Sequence, residues 1–400
     1  MRRLHHIVAT LLSIVLLWMN GAVHTAPPVG SPAERERLHD QLRYLQQRAH
    51  TGLGDEMQRL FPEGCDFTHA LYGLAWCGLA RSSAADDPVR QEALREALWA
   101  LAQFDRADVQ ARFSNEAKPM FGVFHAGWRN MLLGRIIEAQ GPERDPILLG
   151  EFQRRSAEIA EAFANSPSPY LESYPGQAWP ADAVVAMASL GSFDRLVGPV
   201  HRPVMARWLA QVYKRVDRRS LIPHAWDPLN DRVAQDAQGS SQALMNAFLP
   251  MIDSTLAAHQ YMWYRMWFLV EPMGLPVLRE YPHGTRGPGD VDSGPVIFGV
   301  GGAATLVNIA ATRANEQPIQ AHVADAVTEA LCFGAGGDHR RYLIGAMPIA
   351  DLFIAWGRSV PPAHPAHPGT GFKQFHVWSM ALLLVVWSPV AWRRWKRRNG

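Results

Sequence analysis

The sequence predicts an all-α fold. Six helical hairpins close as an (α/α)6 toroid, with a signal or anchor helix before it and a transmembrane helix after it. Three observations carry this reading. Apolar residues recur near a period of 3.6, and strand-type alternation is scarce. Amphipathic segments alternate along the chain with apolar segments rich in Ala and Gly. The apolar segments start roughly 50 to 60 residues apart, a spacing typical of repeat architectures. Helices with one wet face belong outside and helices with none belong inside. An open solenoid of the same hairpins is the competing arrangement, and it needs polar terminal caps.

The elements follow in order. Arg2 and Arg3 precede the apolar run Ile7–Met19 and NGAVHTAPP, the layout of a secretory signal over residues 1–26, with an uncleaved anchor as the alternative. Residues 27–33 form a linker, and residues 34–360 form the toroid domain. The expected pairs of amphipathic and apolar helix are Glu34–Ala49 with Asp66–Ala80, Asp87–Phe104 with His125–Ala139, and Leu148–Ala164 with Asp182–Leu190. They continue with Val200–Val216 and Ser240–Ile252, Leu256–Val270 and the Gly289–Ala311 stretch, and Pro318–Leu331 and Arg341–Trp356. In the fifth apolar segment, Asp292 or Ser293 is expected to cap a helix whose first turn holds Pro295. That run carries no charge from Val296 to Thr312, so burial on all sides is expected.

A proline-rich linker over 361–374 leads to an apolar span over 375–392 and a basic tail over 393–400. Basic residues flank both apolar ends on their outer sides, so both ends are expected in the cytoplasm and the domain outside it. The corresponding location is a bacterial inner membrane with a periplasmic domain.

The net charge of +2 includes seven basic residues at the ends: Arg2, Arg3 and five within Arg393–Arg398. The domain between them therefore carries about −5, which argues against nucleic acid as a partner. The three cysteines, Cys65, Cys77 and Cys332, permit one disulfide or three buried thiols. No CxxC or HExxH pattern occurs, and neither a metal nor a cofactor is expected.

In a toroid, the loops leading into the apolar helices gather on one face, and these loops hold the unusual residues. Asp182 and Asp292 are the expected catalytic pair, one protonating a leaving oxygen and the other activating water or taking a proton. Asp290 and His125 are further catalytic candidates. Asp66, Tyr174, Trp179, His224, Trp226, Asp227, Tyr281 and His283 are the expected substrate-binding residues. For each Asp, the alternative role is a helix N-cap. For the aromatics, it is packing at the rim. Aromatic walls beside carboxylates suit a polyhydroxylated ring or a flat apolar ligand.

YPGQAWPAD (Tyr174–Asp182), GDVDSGP (Gly289–Pro295) and the alternating hairpins resemble the six-hairpin toroid enzymes. These include glycoside hydrolases, polysaccharide lyases and the linalool dehydratase/isomerase family, and the likeness is nearest to the last, over residues 34–357. The resemblance implies the toroid fold and a hydro-lyase or isomerase acting on a terpenoid alcohol. The loop Leu171–Asp182 lacks the cysteines that flank its counterpart in that family. The leading expectation is a membrane-tethered acid/base enzyme acting on a carbohydrate, as a glycosidase or lyase. The alternatives are a terpenoid hydro-lyase or isomerase, and a non-catalytic envelope protein that binds glycan or a partner.

Overall fold

The computed structural model describes residues 2–291, 293–362, 364 and 371–399. In chain order, α1 (Arg2–Ala22) precedes α2 (Pro32–His50), α3 (Leu53–Leu60) and α4 (Gly64–Ser82). Next come α5 (Pro88–Gln103), the single turn α6 (Ala107–Gln110) and α7 (Gly122–Gln140). α8 (Pro146–Asn165) leads to α9 (Pro180–Leu196). α10 (Arg202–Val212) leads through the hairpin β1 (Ala225–Asp227) and β2 (Arg232–Gln235) to α11 (Gly239–Phe248). α12 (Ser254–Phe268) is followed by two more antiparallel hairpins, β3 (Leu269–Val270) with β4 (Val277–Leu278) and β5 (Val296–Ile297) with β6 (Val300–Gly301). Then come α13 (Gly302–Ala314), α14 (Pro318–Leu331), α15 (Pro348–Ser359) and α16 (Lys373–Asn399).

The fold is mostly helical, and two kinds of helix alternate. α4, α7, α9, α11, α13 and α15 bury most of their side chains. α2, α5, α8, α10 and α12 bury one face. The apolar helices touch in series: α4 on α7, α7 on α9, α9 on α11, α11 on α13, α13 on α15, and α15 on α4. Small residues permit the close approach. A Cβ on Gly127 would lie 2.9 Å from Ala186 Cβ, and one on Gly357 would lie 2.9 Å from Ile309 Cβ.

The starts differ too, with α10 the exception among the half-buried helices, since His201 before it makes no side-chain cap. Ser31, Asp87, Asp145 and Asp253 cap α2, α5, α8 and α12 through their side chains. None of the six apolar helices begins with a side-chain cap. Asp66 and Asp182 lie inside the first turns of α4 and α9, so the capping role is not theirs.

Several boundaries differ from the expected ones. The fifth apolar helix starts at Gly302, because Val296–Gly301 folds as a hairpin. Phe298 and Gly299 form its two-residue tip, with φ of 53° and 86°. Positive φ at both central positions suits a tight hairpin turn, and the β-branched residues on either side favour strands. Residues 341–347 hold only a 3-10 turn at Leu343–Gly345 before α15, and Ile344 within it has φ of 61°. Ser240–Ile252 is α11 followed by a 3-10 turn at Leu249–Met251. α14 is mostly buried rather than wet on one face, because α1 packs against it.

Beneath α14 and α15 lies a buried ion network. Arg313 pairs with Glu34 and Asp325, and Arg358 pairs with Asp325 and Glu329. Tyr342 donates to Glu329 at 2.7 Å, and Arg37 reaches the same carboxylate at 3.1 Å. Burial opposes ionisation of Glu329, but Arg358, Arg340, Tyr342 and Arg37 outweigh it and hold the carboxyl down at about 2. The network ties α2 near the start of the domain to α15 at its end.

Two helices, over Arg3–Ala22 and Lys373–Trp392, are long and apolar enough to cross a membrane. They pack on each other, and Ala22, Val23, Phe372 and Phe375 join a cluster with Leu275, Val277 and the α14 residues Ala326, Val327 and Ala330. Of the expected linker 361–374, residues 363 and 365–370 lie outside the described ones. All three cysteines are buried free thiols. Burial pushes Cys65 and Cys77 up to about 12.

Candidate functional site

A cavity of about 840 Å³ lies at the leading ends of the apolar helices. First-turn residues of all six contribute to its wall: Phe67, Phe124, Asp182, Ser241, Ala303 and Ala350. Loop residues from the β3–β4 and β5–β6 hairpins and from 343–347 complete it. The volume falls in the usual range for a small-molecule site. Most of the wall is aliphatic or aromatic. Among the described residues, its ionisable side chains are Glu63, Asp182, His224, Arg279 and Cys332.

The polar groups are held in place by the loops that carry them. Asp182 Oδ2 accepts from Ser173 Oγ at 2.5 Å, across the turn in which Tyr174 bridges Gln177. Tyr174 stacks on Phe113 and meets Trp179 edge-on. Burial first, and then the Glu63 carboxylate, push the Tyr174 phenol far above its usual range, and Asp182 and Asp66 add to the effect. The Glu63, Asp182 and Asp66 carboxylates thus all act on one tyrosine. His224 Nδ1 lies 3.1 Å from Ser241 Oγ, and that hydroxyl donates to the Gln238 carbonyl. Arg279 is anchored by donation to the Tyr281 and Thr285 carbonyls.

Behind this wall, Asp66 Oδ2 lies 2.6 Å from His125 Nδ1, with both side chains buried. Burial pushes the Asp66 carboxyl up, against the opposing hydrogen bond from His125. Neither residue lines the cavity, although their neighbours Phe67 and Phe124 do.

The structure thus brings Trp179, Asp182 and His224 to the cavity wall, with Tyr174, Asp66 and His125 in the layer behind. Five of the other expected residues lie elsewhere. Asp227 closes its own turn, accepting from the backbone N–H groups of Leu229 and Asn230 and from Arg232. Trp226 packs edge-on against Tyr170. Tyr281 donates to the Pro288 carbonyl, and His283 is exposed beside the Leu269 carbonyl. Asp290 is exposed and exchanges hydrogen bonds with Ser293, so its carboxylate caps a turn rather than facing the cavity. Asp292 lies outside the described residues.

Sequence reasoning missed Glu63, Ser240, Ser241 and Arg279 as wall residues. Glu63 was legible as a second carboxylate in PEGCD, three residues ahead of Asp66 at the lead-in to α4. Ser240 was legible through its position at the start of α11; it donates to the buried Glu280 at 2.6 Å. Compared with known proteins, the chain matches no family model and no curated protein sequence.

Proposed function

We propose that the protein is an acid/base enzyme that dehydrates or isomerises a terpenoid or similar apolar alcohol. The observation that carries this is the cavity: an aromatic and aliphatic wall with carboxylates confined to the region of Tyr174. A sugar ring would set its hydroxyls against Phe67, Phe124 and Leu244 with few hydrogen-bond partners, which costs binding energy. An apolar chain loses nothing there and buries its length.

In this reading, Asp182, protonated, gives its proton to the substrate hydroxyl, and water leaves. The Glu63 carboxylate takes a proton from the neighbouring carbon, and the C=C bond forms. Proton exchange with solvent restores both groups. His224, on the cavity wall, orients the hydroxyl. The ring faces of Phe67, Phe124, Trp128 and Trp179 stabilise the positive charge that develops as the C–O bond breaks.

The scaffold in this reading is the (α/α)6 toroid, supported by the closed series of helix contacts. α1 and α16 are its membrane anchors, and the basic residues outside both apolar runs support a cytoplasmic location for the termini. The domain then faces the periplasm of a bacterial inner membrane.

The test is a substrate panel incubated with the full chain in detergent, with isoprenoid alcohols in one set and oligosaccharides in the other. Loss of water from the alcohols supports the reading. Oligosaccharide cleavage with no change in the alcohols replaces it with the carbohydrate enzyme.

A further inference from the structure

We propose that the mouth of the cavity is a lipid-inserted face, opening onto the acyl chains of the membrane that α1 and α16 cross. The inference rests on reading those two helices as spans and is independent of the reaction inside. The first observation is adjacency. Val270, Leu275, Val277, Val300 and Leu331 serve both as cavity wall and as packing for the cluster that holds α1 and α16. Pro272 lines the cavity, and in the same turn Gly274 abuts α16 so tightly that a Cβ would lie 2.8 Å from Gln374.

The second observation is depth. Phe333 follows the wall residue Cys332 and stacks on Trp18 of α1 with ring centroids 6.0 Å apart. Trp18 lies four residues, or about 6 Å of helix, inside the domain-side end of the apolar span. The rim beside Cys332 therefore reaches the level of the span rather than stopping above it.

The third observation is the rim itself. Phe298, at the tip of β5–β6, is 100% exposed, and Ile344 is 82% exposed. Phe298, Phe333, Leu343 and Ile344 all have positive φ, a region that bulky side chains rarely occupy and Ile least of all. At Phe298, Phe333 and Ile344 the large apolar side chain is exposed, while Leu343 packs on the core and lines the cavity. In water such a patch is unfavourable, and large exposed apolar patches mark an interaction surface. A bilayer is the partner already adjacent to it. An apolar substrate dissolved in that bilayer would enter without crossing water.

The experiment places an environment-sensitive fluorophore on Phe298→Cys and Ile344→Cys in the full chain. Ile147→Cys is the exposed control away from the cavity, and the wild type, with its buried thiols, is the labelling blank. Each protein is reconstituted into phosphatidylcholine/phosphatidylglycerol vesicles containing lipids with a quencher on the acyl chain. Melting curves matching wild type verify folding. The expected result is a blue shift and several-fold stronger quenching at 298 and 344 than at 147. Vesicle-bound protein with quenching at 298 and 344 no stronger than at 147 overturns the inference. A blue shift without quenching also overturns it and assigns the face to a protein partner. Failure to float with vesicles overturns the reading of α1 and α16 as spans, and this inference with it.

Discussion

Asp66 Oδ2 and His125 Nδ1 are 2.6 Å apart, joining α4 to α7 immediately behind the cavity-wall residues Phe67 and Phe124. The pair is sealed from solvent, so its first effect is on the shape of the wall. Asp66→Ala leaves His125 buried without its partner, at a cost of about 1–3 kcal/mol. The expected outcome is a clear drop in melting temperature, accompanied by a loss of turnover that follows the loss of fold.

Asp182 is the contrasting case, since it lies on the cavity wall, where its Oδ2 accepts from Ser173 Oγ. Asp182→Asn keeps the shape and removes the acid. Turnover is expected to fall by at least about 100-fold, the size of a general-acid contribution, with the melting temperature nearly unchanged. A large loss of stability instead would assign Asp182 a structural role.

Asp351 carries a pH prediction. Its Oδ1 accepts from the Tyr342 N–H at 2.8 Å, and Oδ2 is buried without a hydrogen-bond partner among the described residues. Burial pushes the carboxyl up from 3.8 to about 7, against those hydrogen bonds and Arg358. The folded state thus holds this proton more tightly than the unfolded state does. The stability from this group is present below the usual carboxylate range and is lost as pH rises through about 7. Over that interval the loss is at most about 4 kcal/mol. Asp351→Asn stays neutral, so it should melt above wild type in mild alkali, with the difference fading in mild acid.

Glu329 behaves in the opposite sense. Its folded carboxyl is held at about 2, below the usual 4.5, so its contribution is present above the usual value and lost as pH falls toward 2. Glu329→Gln leaves Arg358 short of a counter-charge in a buried network and is expected to destabilise by about 3 kcal/mol at neutral pH. Denaturant midpoints of the two proteins measure it.

Much of the architecture was legible because burial leaves a compositional trace. Segments such as LYGLAWCGLA in α4 and VVAMASLG in α9 lack a wet face, and this marks them as central. The start of α13 was not legible, because an apolar run with glycines reads equally as helix or strand. The pair Phe298–Gly299 between β-branched residues was the one local clue to a hairpin. Asp290 drew attention as a carboxylate before a long apolar run, but the hairpin moved the helix start away and left it capping a turn. Glu63 escaped notice because α4 begins at Gly64, two residues before the expected Asp66. Its position on the wall depends on contacts with a loop more than 100 residues away, around Tyr174, and no local pattern encodes that.

The most direct test of the central claim is the mass of the products formed from a tertiary isoprenoid alcohol in deuterated water. The expected result is an alkene product lacking one water, recovered isomers carrying deuterium, and neither product from Asp182→Asn. Unchanged alcohol and no deuterium uptake from folded wild-type protein, across alcohols that fit the cavity, would contradict it.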